Sequence, residues 1–158
     1  MDKPPPLSPY PGADTSDETG AFRLQSPQQR GRGGFDTLEL GRIRELDYIR
    51  EGAKGGLAIG AMTSKRAAER SLLVLARNPM LQVATALVGH PQIRNRGTVG
   101  GSMAQADPAA EYPAVALALD VELVARGPGG ERVIPAADFF ITYLTTCLEP
   151  AEVLTEVR

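Results

Sequence analysis

The sequence has no tryptophan, one cysteine, one histidine and only 5% aromatic residues among 158. Each scarcity excludes a class of function. Cys147 has no partner for an internal disulfide, and a single thiol cannot hold an iron–sulfur cluster, which takes about four ligands. His90 is alone and precedes a proline, so neither a histidine-based zinc set nor a nucleophilic triad has its parts. No apolar run approaches the ~18 residues of a membrane span, and the proline-rich N-terminus lacks the apolar segment of a secretory signal. The formal net charge of −2 argues against nucleic acid as the main partner. With 42% hydrophobic and 23% charged residues the chain can still build one core, and the cytoplasm is its default compartment.

Residues 1–34 are expected to form a disordered tail. Six of the 13 prolines fall there (Pro4, Pro5, Pro6, Pro9, Pro11, Pro27), with Gly31, Gly33 and Gly34 closing the stretch. Too few large apolar residues are present to offset the entropy of ordering it. Order is expected from residue 35 to 158. Phe35–Leu40 alternates like a short strand, and Leu40, Ile43 and Leu46 mark a single helical turn. Tyr48–Arg50 and Leu57–Gly60 read as a hairpin. A helix capped by Thr63 or Ser64 runs to Asn78-Pro79, and a second, opened by Pro79, ends near Gly89. Asp107-Pro108 has the form of a cap and first position for a third helix, which Pro113 must bend or restart. Val121–Ala125 and Arg132–Ile134 flank a Gly-Pro-Gly-Gly turn. Pro135–Tyr143 reads as a helix and Val153–Val157 as a strand. Hairpins and crossovers are mixed, which fits an α+β domain better than an alternating βαβ series.

One stretch stands out: Arg94-Asn95-Arg96-Gly97-Thr98-Val99-Gly100-Gly101-Ser102. Its glycines remove Cβ atoms and open positive-φ conformations. Consecutive N–H groups could then turn inward around a phosphate, helped by the Thr98 and Ser102 hydroxyls. A tight turn between two elements explains the same residues. The spacing from Gly97 fails the dinucleotide fingerprint, and neither a P-loop nor a G-x-S-x-G elbow occurs. Asp107 and Glu111 could pair on one helical turn, or serve as a cap and a solvated face. Arg94 and Arg96 either raise anion affinity or form surface ion pairs of small worth. His90 is expected to pack beside the loop, and Cys147 to be a small buried hydrophobe. Taken together these residues offer a backbone-based phosphate site with no acid, base or nucleophile, as in a domain whose cofactor carries the chemistry.

The run from His90 to Ser102, continued by Ala106-Asp107-Pro108-Ala109-Ala110-Glu111, resembles the second FAD-binding motif of the flavoprotein subunits of molybdenum hydroxylases, such as carbon monoxide dehydrogenase medium subunits and the flavin domain of xanthine dehydrogenase. Ile59–Thr63 and Leu144–Val157 resemble the same family in the same order, so the likeness covers residues 36–158. It implies the second subdomain of a PCMH-type, vanillyl-alcohol-oxidase-like FAD-binding fold. It also implies that Thr98, Val99, Gly100, Gly101 and Ser102 bind the FAD pyrophosphate. Gln105 and Glu111 match cofactor contacts, the carboxylate taking a hydroxyl of the sugar-like chain. Val88, Gly89 and Ile93 match residues lining the flavin, and Leu154 matches a late apolar contact. The implied partners are an iron–sulfur subunit and a molybdopterin-containing large subunit. Family members also carry an earlier glycine-rich phosphate loop and a later domain with no counterpart here, so the chain is expected to be the central piece of such a subunit, truncated at both ends. The competing expectation is a remnant or interaction module that binds no flavin.

Overall fold

The computed structural model describes residues 21–24, 36–40 and 42–158. Within the segment expected to be unordered lies β1 (Ala21–Leu24), which pairs antiparallel with β2 (Asp36–Glu39) just beyond it. The rest of residues 1–34 lies outside the described residues.

The central sheet has five antiparallel strands. Its chain order begins with the expected hairpin, β3 (Ile49–Glu51) and β4 (Leu57–Gly60). Six helices follow: α1 (Lys65–Arg70), α2 (Leu72–Arg77), α3 (Pro79–Leu87), α4 (Pro91–Arg96), α5 (Val99–Gln105) and α6 (Glu111–Ala118). A second hairpin, β5 (Glu122–Gly127) and β6 (Gly130–Pro135), turns through Pro128-Gly129. Then come α7 (Ala136–Phe139), a small ribbon of β7 (Phe140–Thr142) and β8 (Thr145–Thr146), and β9 (Val153–Val157). The spatial order is β3-β4-β9-β5-β6, so the last strand in sequence sits at the centre and joins the two hairpins.

A bulge in β9 sets what the sheet buries. Glu156 pairs with Val124 and Leu154 with Ala125, which leaves Thr155 as the extra residue. Strict alternation would put Leu154 and Val157 on opposite faces; the bulge puts both into the core. There they meet Ile59, Leu123, Ala125 and Ile134 from the sheet and Val74, Leu81, Val99, Met103, Tyr112 and Phe139 from the helices. Glu156 is sent to the other face. There Tyr48 and Arg158 hydrogen-bond its carboxylate, and Arg50 Nη2 lies 2.6 Å away. Burial works to raise its pKa, but these three donors outweigh it and hold the carboxyl below its ordinary range.

Several helix boundaries differ from the sequence expectation. The first helix is two, because Ser71 leaves helical geometry (ψ 120°) and its side chain accepts from Val74 N–H at 3.2 Å, capping α2; a serine hydroxyl competes for backbone donors in this way. Ser64, not Thr63, caps α1, while Thr63 is buried and exchanges two hydrogen bonds with the Tyr48 backbone. The helix expected from Asp107-Pro108 starts at Glu111 instead. Asp107 Oδ1 accepts from Ala109 N–H in a local turn, and Pro113 falls in the first turn of α6, where its missing N–H costs nothing. The helix expected over Pro135–Tyr143 is only one turn, since Phe140–Thr142 pairs as β7. None of the described helices is long and apolar enough to cross a membrane.

Candidate functional site

The glycine stretch folds as the first turn of a helix. Thr98 bridges Ser64 as an isolated antiparallel pair and caps α5, its Oγ1 accepting from Gly101 N–H at 3.0 Å. Val99 N–H donates to Thr63 O and Gly100 N–H to Ala61 O, each at 2.9 Å, and Ser102 N–H reaches Thr98 O at 3.3 Å. Gly97, Gly100 and Gly101 all have ordinary negative φ. The expected positive-φ loop with N–H groups gathered around a ligand is therefore corrected: the Val99 and Gly100 N–H groups hold α5 against the turn between β4 and α1, and those of Gly101 and Ser102 bond to Thr98. The glycines serve close approach. A Cβ on Gly100 would lie 2.4 Å from Ala61 Cβ and 2.7 Å from Ala61 O, so only glycine lets the helix seat there.

What α5 and the loop after it present outward is polar and unspent. Ser102, Gln105 and Glu111 are each half-buried, and among the described residues none of their side chains has a hydrogen-bond partner. The chain bends between Gln105 and Glu111 through Ala106, whose φ of 52° is left-handed. Ala106 O accepts from Leu144 N–H at 3.2 Å, and Leu144 is itself left-handed at φ 50°. Such conformations persist only where surrounding contacts enforce them, and they gather at functional sites.

A second patch forms at the turn from α3 to α4. Gly89, left-handed at φ 47°, sits against the Ile93 side chain, 3.1 Å from where a Cβ would lie. Val88 and Ile93 are half-buried and Gly89 is exposed, so the three residues matched to the flavin surroundings do come together. Behind them lies Arg94, 7% exposed. Its Nη1 donates to Val88 O at 3.0 Å and Gly89 O at 2.8 Å, and its Nε to Glu69 Oε2 at 3.0 Å. Glu69 also receives Arg66 Nη1 at 2.7 Å. Hydrogen bonds from Arg66, then Arg94, hold the Glu69 carboxyl below its ordinary range. Arg94 is thus a buried clamp rather than the surface arginine that sequence reasoning allowed. No local signal marks it, because its partner lies 25 positions away.

The remaining candidates divide. Leu154 is fully buried within the main core, so it is a packing residue of this domain and does not join the half-buried polar row. His90 is exposed and contributes no side-chain cap to α4, contrary to the expectation that it packs beside the loop. Asp107 and Glu111 do not share a helical turn. Cys147 is half-buried at the edge of the core. No group of three His, Cys, Asp or Glu side chains among the described residues is placed to hold a metal.

The chain thus combines an antiparallel sheet packed against helices, a glycine-seated helix, a half-buried polar row and a clamped turn, an α+β domain with polar groups left over for a ligand. Residues 32–158 match the family described as the FAD binding domain in molybdopterin dehydrogenase, and the chain belongs to that family. The FAD expected from the sequence is that domain's cofactor. The chain is 41% identical over 121 residues to the carbon monoxide dehydrogenase medium chain of Hydrogenophaga pseudoflava, covering 77% of this chain and 42% of that one. It is 40% identical to 6-hydroxypseudooxynicotine dehydrogenase complex subunit alpha of Paenarthrobacter nicotinovorans, covering 77% and 40%. Among solved structures, a carbon monoxide dehydrogenase from Hydrogenophaga pseudoflava superposes with a TM-score of 0.71 at 43% identity, over 73% of this chain and 40% of that one. Quinoline 2-oxidoreductase from Pseudomonas putida 86 gives 0.70 at 37%, over 72% and 40%. The α+β, PCMH-type fold implied by the resemblance is the fold observed. The chain spans about two fifths of the length of these relatives.

Proposed function

We propose that this chain forms part of the FAD-binding, electron-transferring subunit of a molybdenum-hydroxylase-type dehydrogenase and that FAD lies along the surface from the Val88–Gly89 turn to Glu111. Within the structure, the observation that carries this is the row of half-buried polar side chains without partners, Ser102, Gln105 and Glu111. Side chains at these partly exposed positions spend no hydrogen bond within the protein, so each can exchange water for a polar ligand. When bound, FAD supplies the electron-accepting ring; the protein supplies position and electrostatics. Thr98 caps α5 and so fixes the helix from which Ser102 offers a hydroxyl to the pyrophosphate. Gln105 and Glu111, set apart by the bend at Ala106, reach the ribityl and ribose hydroxyls. Val88, Gly89 and Ile93 lend a small apolar surface for the ring. Electrons would arrive from clusters on an iron–sulfur partner, after oxidation of substrate on a molybdopterin-containing subunit, and leave to an external acceptor in the cytoplasm.

The test is an FAD titration of the purified protein and of Ser102→Ala, followed by flavin fluorescence. Removing one hydroxyl from a charged phosphate is expected to raise the dissociation constant roughly tenfold. Equal affinities would show that Ser102 does not touch the cofactor.

A further inference from the structure

The Arg94 clamp has a geometric consequence for the turn in front of it. One guanidinium nitrogen draws in two successive carbonyls, Val88 O at 3.0 Å and Gly89 O at 2.8 Å. In a planar trans peptide the carbonyl and the following N–H point in opposite directions. With both carbonyls turned inward, the N–H groups of Gly89 and His90 are turned outward, and neither has a hydrogen-bond partner among the described residues. The left-handed φ of Gly89 allows the two carbonyls to converge. Glu69 fixes the guanidinium from the far side through Nε, and its backbone carbonyl takes Gln82 Nε2 at 3.0 Å. The clamp therefore ties α1, α3 and α4 to one orientation of this turn. The Arg66–Glu69–Arg94 group keeps one net positive charge behind it.

We infer that Arg94, braced by Glu69, is a positioning residue for the flavin ring: it presents the Gly89 and His90 N–H groups to acceptor atoms at the ring's edge and keeps a positive charge close behind them. This rests on the proposed function and adds a role for two residues that touch no cofactor themselves. A positive charge and main-chain donors near the ring favour its reduced form, on which negative charge accumulates.

The test uses the FAD-loaded full chain and four variants. Arg94→Met is expected to weaken FAD binding roughly tenfold or more, alter the visible flavin band and shift the reduction potential negative. Arg94→Lys keeps the charge but cannot make the forked contacts, so it should recover the potential better than the affinity. Glu69→Gln replaces the charged acceptor of Arg94 Nε with a weaker neutral one and should reproduce the spectral change in part, which covers the case in which Arg94→Met fails to fold. Arg132→Met breaks the remote pair with Glu152 (2.6 Å); it is expected to change stability alone, leaving band and potential unmoved. A flavin-bound wild type whose Arg94→Met and Glu69→Gln variants keep its spectrum and potential would overturn the inference alone. A wild type that takes up no flavin would overturn the proposed function and this inference with it.

Discussion

Adding one methyl group to Gly100 tests how the glycine helix is seated. The new Cβ would stand 2.4 Å from Ala61 Cβ and 2.7 Å from both Ala61 Cα and Ala61 O. Carbon atoms need about 3.5 Å, so something must move by about 1 Å, and the obstacle is backbone rather than a flexible tip. Moving it strains the hydrogen bonds Gly100 N–Ala61 O and Val99 N–Thr63 O, both 2.9 Å, worth about 1 kcal/mol each. Overpacking adds about 1–3 kcal/mol, while alanine's better helix propensity returns up to about 1 kcal/mol. The net is about 3 kcal/mol, or about a 10 °C drop in melting temperature for a domain of this size. Gly101→Ala provides the contrast, because its Cβ would meet only Thr98 Oγ1, at 2.8 Å. Losing that cap costs about 1 kcal/mol and the propensity gain nearly cancels it. Gly129→Ala meets nothing within 4 Å and should be neutral. Thermal unfolding followed by circular dichroism ranks the three. A Gly100→Ala protein as stable as Gly101→Ala would refute the close-seating argument.

Two further predictions concern pH. Burial, as the chief cause, pushes the Tyr112 phenol up to about 12; its hydroxyl sits 3.0 Å from Thr85 Oγ1. The neutral form is favoured on folding, so this contribution is complete below the unfolded value of 10.0 and is lost as pH rises toward about 12. Tyr112→Phe should therefore flatten the alkaline limb of a stability–pH curve; an unchanged limb would contradict this. At the acid end, Glu69 and Glu156 are both held below the ordinary carboxylate value of 4.5. Their stabilisation is complete above that value and is lost as pH falls through the lower folded values. Urea unfolding of Glu156→Gln should show less loss between neutral and acid pH than wild type, and an equal loss would refute the role given to its three donors.

What was legible in the sequence depended on how far each signal reaches along the chain. The two hairpins, the helix stop at Asn78-Pro79, the start of α3 at Pro79 and its end before Gly89 rest on neighbours a few positions apart, and each stands where it was expected; Ser64 is the one of two candidate caps that is used. The short helices α4 and α5 were hidden. Pro91 at the first position of α4 was the same cue that located α3 at Pro79, but the glycines beyond it suggested a loop. Glycine is a poor helix former, and tertiary contact with Ala61 overrode that preference. The bulge at Thr155 left no local mark, although it decides which residues of β9 enter the core. The grouping of Val88, Gly89 and Ile93 was anticipated from resemblance to a family. The clamp behind them was not, since Glu69 and Arg94 meet only after the chain has passed through α2 and α3. The glycine stretch signals close backbone approach as well as it signals phosphate: its amides are spent on the seat and cap of α5, and the side chains without partners begin at Ser102.

The most direct measurement is the stoichiometry of flavin on the purified protein, by absorbance before and after equilibration with FAD and removal of the excess. The account predicts a yellow protein with one FAD per chain, with bound-flavin fluorescence that differs from that of free FAD. A colourless protein that remains colourless after FAD is added would contradict it.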